Sequence, residues 1–274
     1  MQRLFVIILN YKKYGDTETC LHSLIKSHLP TNTSIIIVDN SQDKEKQDAL
    51  LQKFPTITLL RNHKNLGFAA GNNRGITYGI EQHASAILLL NPDTLVATNF
   101  VQPLIHTLQS KKSIGIVATA LKHKQKNIFM IGMEGSIDWN TAMPRHVNVK
   151  KISSNNIRTA EFVSFAAVLI KADVFKKVGL LDEHYFMYLE DVDYCLKVRN
   201  YGFSIVLNPT VVVQHHTSSS FKKPTDKLFL SFQSHVYFIK KWIAFPKNMV
   251  PLLFTILFYP YLYILWTVQA LRHR

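Results

Sequence analysis

The sequence predicts an α/β fold with a mostly parallel sheet flanked by helices, on three observations. First, four short apolar runs, Leu4 to Leu9, Ser34 to Val38, Ile57 to Leu60 and Ala86 to Leu90, alternate with helix-length segments around Thr17 to Ser27, Lys44 to Lys53 and Ala69 to Gln82. Strands alternating with helical patterns form βαβ units, whose strands run parallel. Second, each run ends in a polar cluster: Asn10-Tyr11, Asp39-Asn40-Ser41, Arg61-Asn62 and Asn91-Pro92-Asp93. Any one cluster is ordinary capping or turn chemistry. Ligands of open α/β sheets bind outside the carboxyl ends of the strands, so four such clusters together converge on one crevice. Third, no Gly-x-Gly-x-x-Gly follows the first run and no P-loop occurs anywhere, so this is a nucleotide-type crevice without either phosphate loop.

A chain of 274 residues, 47% of them hydrophobic, can bury one substantial core. With no long Gly/Ser/Pro linker, it reads as one enzyme-sized domain over 1–242 and an appendage over 243–274. The formal charge of +14 implies an anionic partner: nucleotide phosphates, anionic lipid or nucleic acid. Nucleic acid is not expected, because the basic residues are scattered and no helix-turn-helix, RRM or KH signature is present. Cys20 and Cys195 sit among apolar neighbours and read as buried thiols in a reducing compartment. Arg3 followed by six apolar residues is too short for a signal peptide, which makes this stretch a buried strand and the body cytoplasmic.

Along the chain, Asn65 to Gly75 places a glycine every fourth residue. This gives a bare helix face for close approach to a backbone or a ligand, with a helix start and Arg74 suited to an anion. Tight packing on the sheet needs the same glycines but not Asn72, Asn73 and Arg74. Asp93, after Leu88 to Leu90, stands where one carboxylate can bind a hard divalent cation together with phosphate oxygens, although Pro92-Asp93-Thr94 is also turn chemistry. Ser113 to Leu121 reads as a strand. MPRHVNVKKISSNNIR, ending at Arg158, is polar, basic and aperiodic, which predicts a mobile loop over the crevice. Glu161 to Ile170 returns to strand character, with Ser164, Ala166 and Ala167 small enough to leave room for a bound group. Lys171 to Val178 is a short helix ended by Gly179.

The densest stretch is Leu181 to Phe203. Val192, Cys195, Leu196 and Arg199 fall at helical spacing, which places Glu190, Asp191 and Asp193 in a first helical turn. The macrodipole favours acids there. The preceding His184-Tyr185-Phe186-Met187-Tyr188-Leu189 supplies aromatic walls, and desolvation against them raises a carboxylate's proton affinity until it can serve as a general base. Ser204 to Leu207 and Val211 to Gln214 read as short strands around Asn208-Pro209, ending at His215-His216-Thr217. Adjacent strand residues face opposite sides, so one histidine at most enters the crevice. His215, which shares the face of Val211 and Val213, is preferred as a cation ligand. After Asp226 no acidic residue occurs, and Met249 to Leu271 carries no charge. Flanked by Lys240, Lys241, Lys247, Arg272 and Arg274, and rich in tyrosine and tryptophan, this apolar helical tail is long enough to span a bilayer. Pro251 and Pro260 interrupt such a span, and the tyrosines, Trp266 and basic flanks suit a segment lying in or dipping into the cytoplasmic leaflet, with a helix packed on the domain or in an oligomer as the alternative.

Taken together, IILNY, IIIVDNS, RNHKNLGFAAGNNRG, LLLNPDT, FVSFAAVLI, VGLLDEHYFMYLEDVDYCLKVRNYGF and NPTVVVQHH resemble the inverting, nucleotide-sugar-dependent glycosyltransferases of family 2, especially their bacterial rhamnosyltransferase-like branch. The resemblance covers about residues 3 to 242. It implies a GT-A type nucleotide-sugar-binding fold. It also implies a nucleotide-sugar donor, a glycan or lipid-linked acceptor, and a place at the anionic inner face of the bacterial plasma membrane, peripheral or tail-anchored. By the same resemblance Asp191 is the catalytic base and Glu190 helps hold the acceptor. Asp39 contacts the nucleobase or ribose, while Asn65 and Gly67 lie near the diphosphate. Asn91 and Asp93 match the ends of the Asp-x-Asp metal motif, with His215 a further ligand for Mg²⁺ or Mn²⁺. Asn91 departs from that motif and removes one negative charge. Asn10, at the end of the first strand, belongs to the same expected donor site. A non-catalytic protein that binds a membrane surface or a polyanion and retains the GT-A fold is the competing reading.

Overall fold

The computed structural model describes residues 3–125, 128–216 and 224–272. Thr217 and Arg274, singled out above, lie outside them. Four strands, β1 (Leu4–Asn10), β2 (Thr33–Asp39), β3 (Thr58–Arg61) and β4 (Ala86–Leu90), pair in parallel in the order β3-β2-β1-β4. Between them run α1 (Tyr14–Ile25), α2 (Lys44–Lys53) and α3 (Gly67–Glu81). Alternate residues of β1 serve opposite faces of the sheet. Phe5 and Ile7 join the core that contains Ala69 and Ile76 of α3, while Leu4, Val6 and Ile8 join the core that contains Cys20, Leu21 and Leu24 of α1. Helices on both faces explain why β1 and β4 are apolar throughout rather than alternating.

The sheet continues through β5 (Thr94–Leu95), α4 (Val101–Ser110), β6 (Ile114–Gln125), β7 (Ile128–Asp138), β8 (Met143–Val149), β9 (Arg158–Thr159) and β10 (Ala167–Lys171). After these come α5 (Ala172–Val178), α6 (Glu190–Asn200), β11 (Ser204–His215), α7 (Pro224–Trp242) and α8 (Met249–Arg272). β10 is inserted antiparallel between β4 and β6, and β6 pairs with β11 in parallel. The result is the mostly parallel, helix-flanked sheet that the sequence predicts.

Three local expectations are corrected. The stretch expected as a mobile loop contains β8, antiparallel to β7. Arg145 to Asn148 are exposed, so the strand has no apolar alternation to betray it. Its ladder with β7 and an ion pair of Arg145 with Asp138 hold it instead. Glu161 to Ala166 is irregular, and β10 begins only at Ala167. Finally, Ser204 to His215 is one strand with a register shift between Asn208 and Val212, where Pro209 cannot donate to the ladder.

Candidate active site

One cleft of about 510 Å³ opens at the carboxyl ends of β1, β2 and β4. Its walls include Tyr11, Lys13, Asn40, Asn65, Gly67, Asn91, Asp93, Ser164, Tyr188, Glu190, Asp191, His215 and Lys227. Seven of the nine residues expected from sequence therefore stand around one space. Asn10 and Asp39 do not. Both are fully buried beneath the cleft floor. Asp39 Oδ1 accepts from Asn10 Nδ2 at 3.0 Å and from the Ser41 amide at 2.7 Å, and Oδ2 accepts from the Tyr14 hydroxyl at 2.6 Å. Burial and the Asp39 carboxylate push the Tyr14 hydroxyl above the usual phenol range. The surface that these two residues underlie is presented by Tyr11 and Asn40.

At the other wall β5 pairs antiparallel with β11, Thr94 opposite His215, and the His216 amide donates to the Asp93 carbonyl at 2.8 Å. The ladder thus sets Asp93 beside His215 and brings Asp93 Oδ1 within 3.1 Å of His215 Nε2. His216 does not line the cleft. Among the described residues no three His, Cys, Asp or Glu side chains gather. A cation held here would take one carboxylate, Asp93, and one imidazole, His215, from the protein. Mn²⁺ or Mg²⁺ tolerates such sparse ligation when phosphate oxygens and water fill the remaining positions, so the donor set fits a cation that arrives with a diphosphate.

The acids at the start of α6 divide their roles. Asp193 is buried and structural: the Trp242 indole donates to Oδ1 at 2.7 Å, Lys241 Nζ to Oδ2 at 2.9 Å, and the Tyr185 hydroxyl to Oδ1 at 3.2 Å. Lys241 also bonds Asp182 at 2.6 Å. Partial burial works against ionisation of Asp182, but Lys241, the His184 amide and the Tyr237 hydroxyl outweigh it and hold that carboxyl well below the usual range. α7 is thereby clamped to both ends of the acidic stretch. Glu190 and Asp191 face the cleft. Burial, and then the neighbouring Asp191 charge, push the Glu190 carboxyl well above its ordinary range, and its Oε2 has no hydrogen-bond partner among the described residues. Burial also raises the proton affinity of Asp191, against the opposing effects of His146 and of backbone N–H bonds from Val192 and Phe165. The α6 N-terminus favours both charges.

Tyr188 and Leu189, immediately before these acids, have φ of 73° and 68°. Two consecutive non-glycine residues in the left-handed region cost about 1–3 kcal/mol each, a strain typical of functional sites. It turns the chain so that α6 enters the cleft acids first. The glycine segment of α3 proves to be both packing and latch. A Cβ on Gly71 or Gly75 would meet Leu9 or Ile7 side-chain carbons at 2.6 and 2.7 Å. Gly67 has φ of 81° and lies against the Phe186 carbonyl, which accepts from the Phe68 amide at 2.7 Å. The first amides of α3 therefore hold the acidic stretch and Asn65 rather than an anion. Arg74 does not reach the cleft, because it bonds the Arg61 carbonyl and Asn62. Asn73 anchors the stretch at Leu181 through bonds in both directions, 2.9 and 3.1 Å.

Sequence reasoning missed a second groove, of about 730 Å³, which shares Tyr11, Asn40 and Asn65 with the cleft and adds four lysines, Lys12, Lys44, Lys46 and Lys64, with Asp43 and Glu45 among them and Asp43 paired to Lys46 at 3.0 Å. The polar clusters after the first two strands border it, and the recurring lysines after the first three strands are its further trace in the sequence. Lys227, brought over the Tyr188 ring at 5.9 Å by α7, was also unforeseen.

The family described as Glycosyltransferase like family 2 matches residues 2–229. The chain belongs to this family. Among curated relatives, it is 22% identical over 247 residues to the low-salt glycan biosynthesis hexosyltransferase Agl10 of Haloferax volcanii, covering 88% of this chain and 75% of that one. It is 23% identical over 241 residues to the N-acetylglucosaminyl-diphospho-decaprenol L-rhamnosyltransferase of Mycobacterium tuberculosis, covering 78% and 76%. Among solved structures, GalNAc-T7 with UDP, GalNAc and Mn²⁺ superposes with a TM-score of 0.68 at 15% identity, over 80% of this chain and 45% of the other, which shows the GT-A fold. This family 2 member is a nucleotide-sugar glycosyltransferase.

Proposed function

We propose that this glycosyltransferase moves a deoxyhexose, with L-rhamnose the first candidate, from a nucleoside diphosphate to a hydroxyl of a lipid-linked or surface-polysaccharide glycan, with inversion at the anomeric carbon. One observation carries this reading: Asp191 and the Asp93–His215 pair, from opposite ends of the sequence motifs, line the same cleft. The rhamnosyltransferase among the relatives supports the sugar. Asp191 takes the proton of the acceptor hydroxyl, the oxygen bonds to the anomeric carbon from one face, and the bond to the diphosphate oxygen breaks on the other. Glu190 borders the acceptor oxygen. Asp93 and His215 are the residues that hold a divalent cation, which when bound offsets charge on the diphosphate. Asn65, Asn91 and Gly67 border the diphosphate, and the lysine-lined groove takes the rest of the nucleotide, with Asp39 and Asn10 fixing its floor from beneath. The catalytic unit, 1–242, is held at the inner face of a bacterial plasma membrane by the apolar tail, 243–274.

Donor screening tests the reading. Full-length protein is mixed with dTDP-rhamnose, UDP-hexoses and a furanose donor, with and without Mn²⁺. A true donor at 100 times its dissociation constant is expected to stabilise the fold by ~2.7 kcal/mol. Product anomeric configuration is then read by NMR. Stabilisation by no donor, or a product of retained configuration, would remove the proposal.

A further inference from the structure

The tail helix α8 is held on one side only. Pro251, Thr255 and Tyr259, spaced four apart, are buried. They pack on α7: Thr255 Oγ1 lies 3.2 Å from His235 Nδ1, the Tyr259 hydroxyl donates to the Ser231 carbonyl at 3.2 Å, and the Tyr259 ring meets Phe232 edge-on. These pairings run antiparallel, and Lys227, a wall residue of the cleft, lies one turn before Ser231 on α7. On the opposite side Leu253, Leu257, Tyr261, Ile264 and Val268 form a continuous stripe, 41% to 64% exposed.

What covers that stripe is constrained by charge. α8 from Met249 to Leu271 is uncharged, and from Lys227 onward every charged residue of the chain is basic. A second copy of this chain would bring Lys240 and Lys247 against their own kind, Lys241 being paired with Asp182 and Asp193. An acidic lipid surface attracts them and takes up the apolar stripe as well. Length then decides the mode. Met249 to Val268 is long and apolar enough to cross a bilayer. However, the helix is committed to α7 as far as Tyr259, and the nine residues from there to Val268 rise only ~14 Å, about half of a ~30 Å hydrocarbon core.

We infer that α8 lies in the plane of one leaflet rather than across the bilayer. Its Leu253–Val268 stripe is sunk in the acyl boundary of an acidic membrane, α7 is on the aqueous side, and the α7 rim of the cleft stands at the lipid surface. This rests on the membrane association proposed above and deepens it.

Because Cys20 and Cys195 are buried, single cysteines can be placed along the stripe of the full chain (Leu253→Cys, Leu257→Cys, Ile264→Cys, Val268→Cys) and labelled with an NBD fluorophore. The labelled proteins are added to phosphatidylcholine vesicles with or without roughly a third phosphatidylglycerol, and depth is read by quenching from lipid-borne spin labels. Expected are partition into acidic vesicles at least about tenfold stronger than into neutral ones at low salt, and one shallow depth for all four labels. A profile deepest at 257 and shallow at both ends means a spanning helix and overturns the inference. So does absence of partition, whether the chain then stays monomeric or self-associates in solution. Leu257→Asp with Ile264→Asp, both on the exposed stripe, should abolish partition and leave release of nucleoside diphosphate from a soluble donor unchanged. Failure of that release in wild-type protein that does partition would count against the transferase reading alone.

Discussion

Asp39, buried, and the Glu190-Asp191 pair, buried and half-buried, are carboxylate sites at the mouth of the same sheet, and the molecule treats them in opposite ways. Asp39 has each oxygen bonded, to Asn10 and the Ser41 amide on one side and to Tyr14 on the other. Glu190 and Asp191 share their cleft wall with Phe165 and Tyr188, Glu190 Oε2 has no hydrogen-bond partner among the described residues, and burial raises the proton affinity of both acids. Satisfied donors make a buried acid scaffolding, whereas desolvation without full compensation makes it a proton acceptor. The largest effect should therefore come from Asp191→Asn: turnover falls about 10²–10⁴-fold, as for loss of a general base, with donor affinity kept. Donor titration alongside nucleoside diphosphate release checks this. In the wild type the base works only when deprotonated, so the acidic limb of kcat/KM should lie above the ordinary aspartate value of about 4 and vanish in the variant. Turnover close to wild type would break the contrast at its centre.

Next in size is Asp93→Asn. The carboxylate that His215 approaches at 3.1 Å is the one acid at the proposed cation site. Its loss should raise the Mn²⁺ concentration for half-maximal activity by more than the ~10–100-fold that removal of an outer-sphere partner costs. An unchanged Mn²⁺ requirement would place the cation elsewhere. Asp39→Asn should act on stability instead. An amide cannot accept from all three donors: with its oxygen toward Tyr14 its NH2 meets the Asn10 and Ser41 donors, and turned over its NH2 meets the Tyr14 hydroxyl, which must then accept. Urea unfolding should show a loss of about 1–3 kcal/mol, with the transferred sugar unchanged.

The legibility of the two halves differs for physical reasons. Strands β1 to β4 are buried on both faces, so burial selects apolar residues at every position, and the sequence marks each strand and the polar residue after it. The acids of α6 are equally plain, because a helix start, an aromatic wall and a glycine stop bracket them. Burial of Asp39 was not legible, because Asp39-Asn40-Ser41 reads the same whether the acid points into solvent or toward Tyr14. β8 was hidden because it is an exposed strand held by backbone pairing to β7, a long-range contact that leaves no periodicity. Lys227 and the lysine groove join the site through tertiary packing of α7 and of three loops, which no local pattern carries.

Glu190→Gln gives the smallest and most discriminating effect. Glu190 is only 6% exposed and its Oε2 has no hydrogen-bond partner among the described residues. Burial first, and the Asp191 charge second, raise its folded-state proton affinity. A carboxyl raised in this direction contributes its full stability below its unfolded value of about 4.3 and loses that contribution as pH rises through the folded value. At neutral pH the unfolded glutamate is ionised and the buried site resists that charge, so holding this carboxyl in the fold is a cost, and a neutral amide of the same shape carries less of it. Urea unfolding at pH 7 should find the variant more stable by about 1 kcal/mol or more, the gain shrinking toward pH 4, while turnover drops because the acceptor side of the cleft has lost a carboxylate. Equal stability at pH 7 would mean that the charge at Glu190 is compensated after all, leaving Asp191 as the one strained acid of the pair.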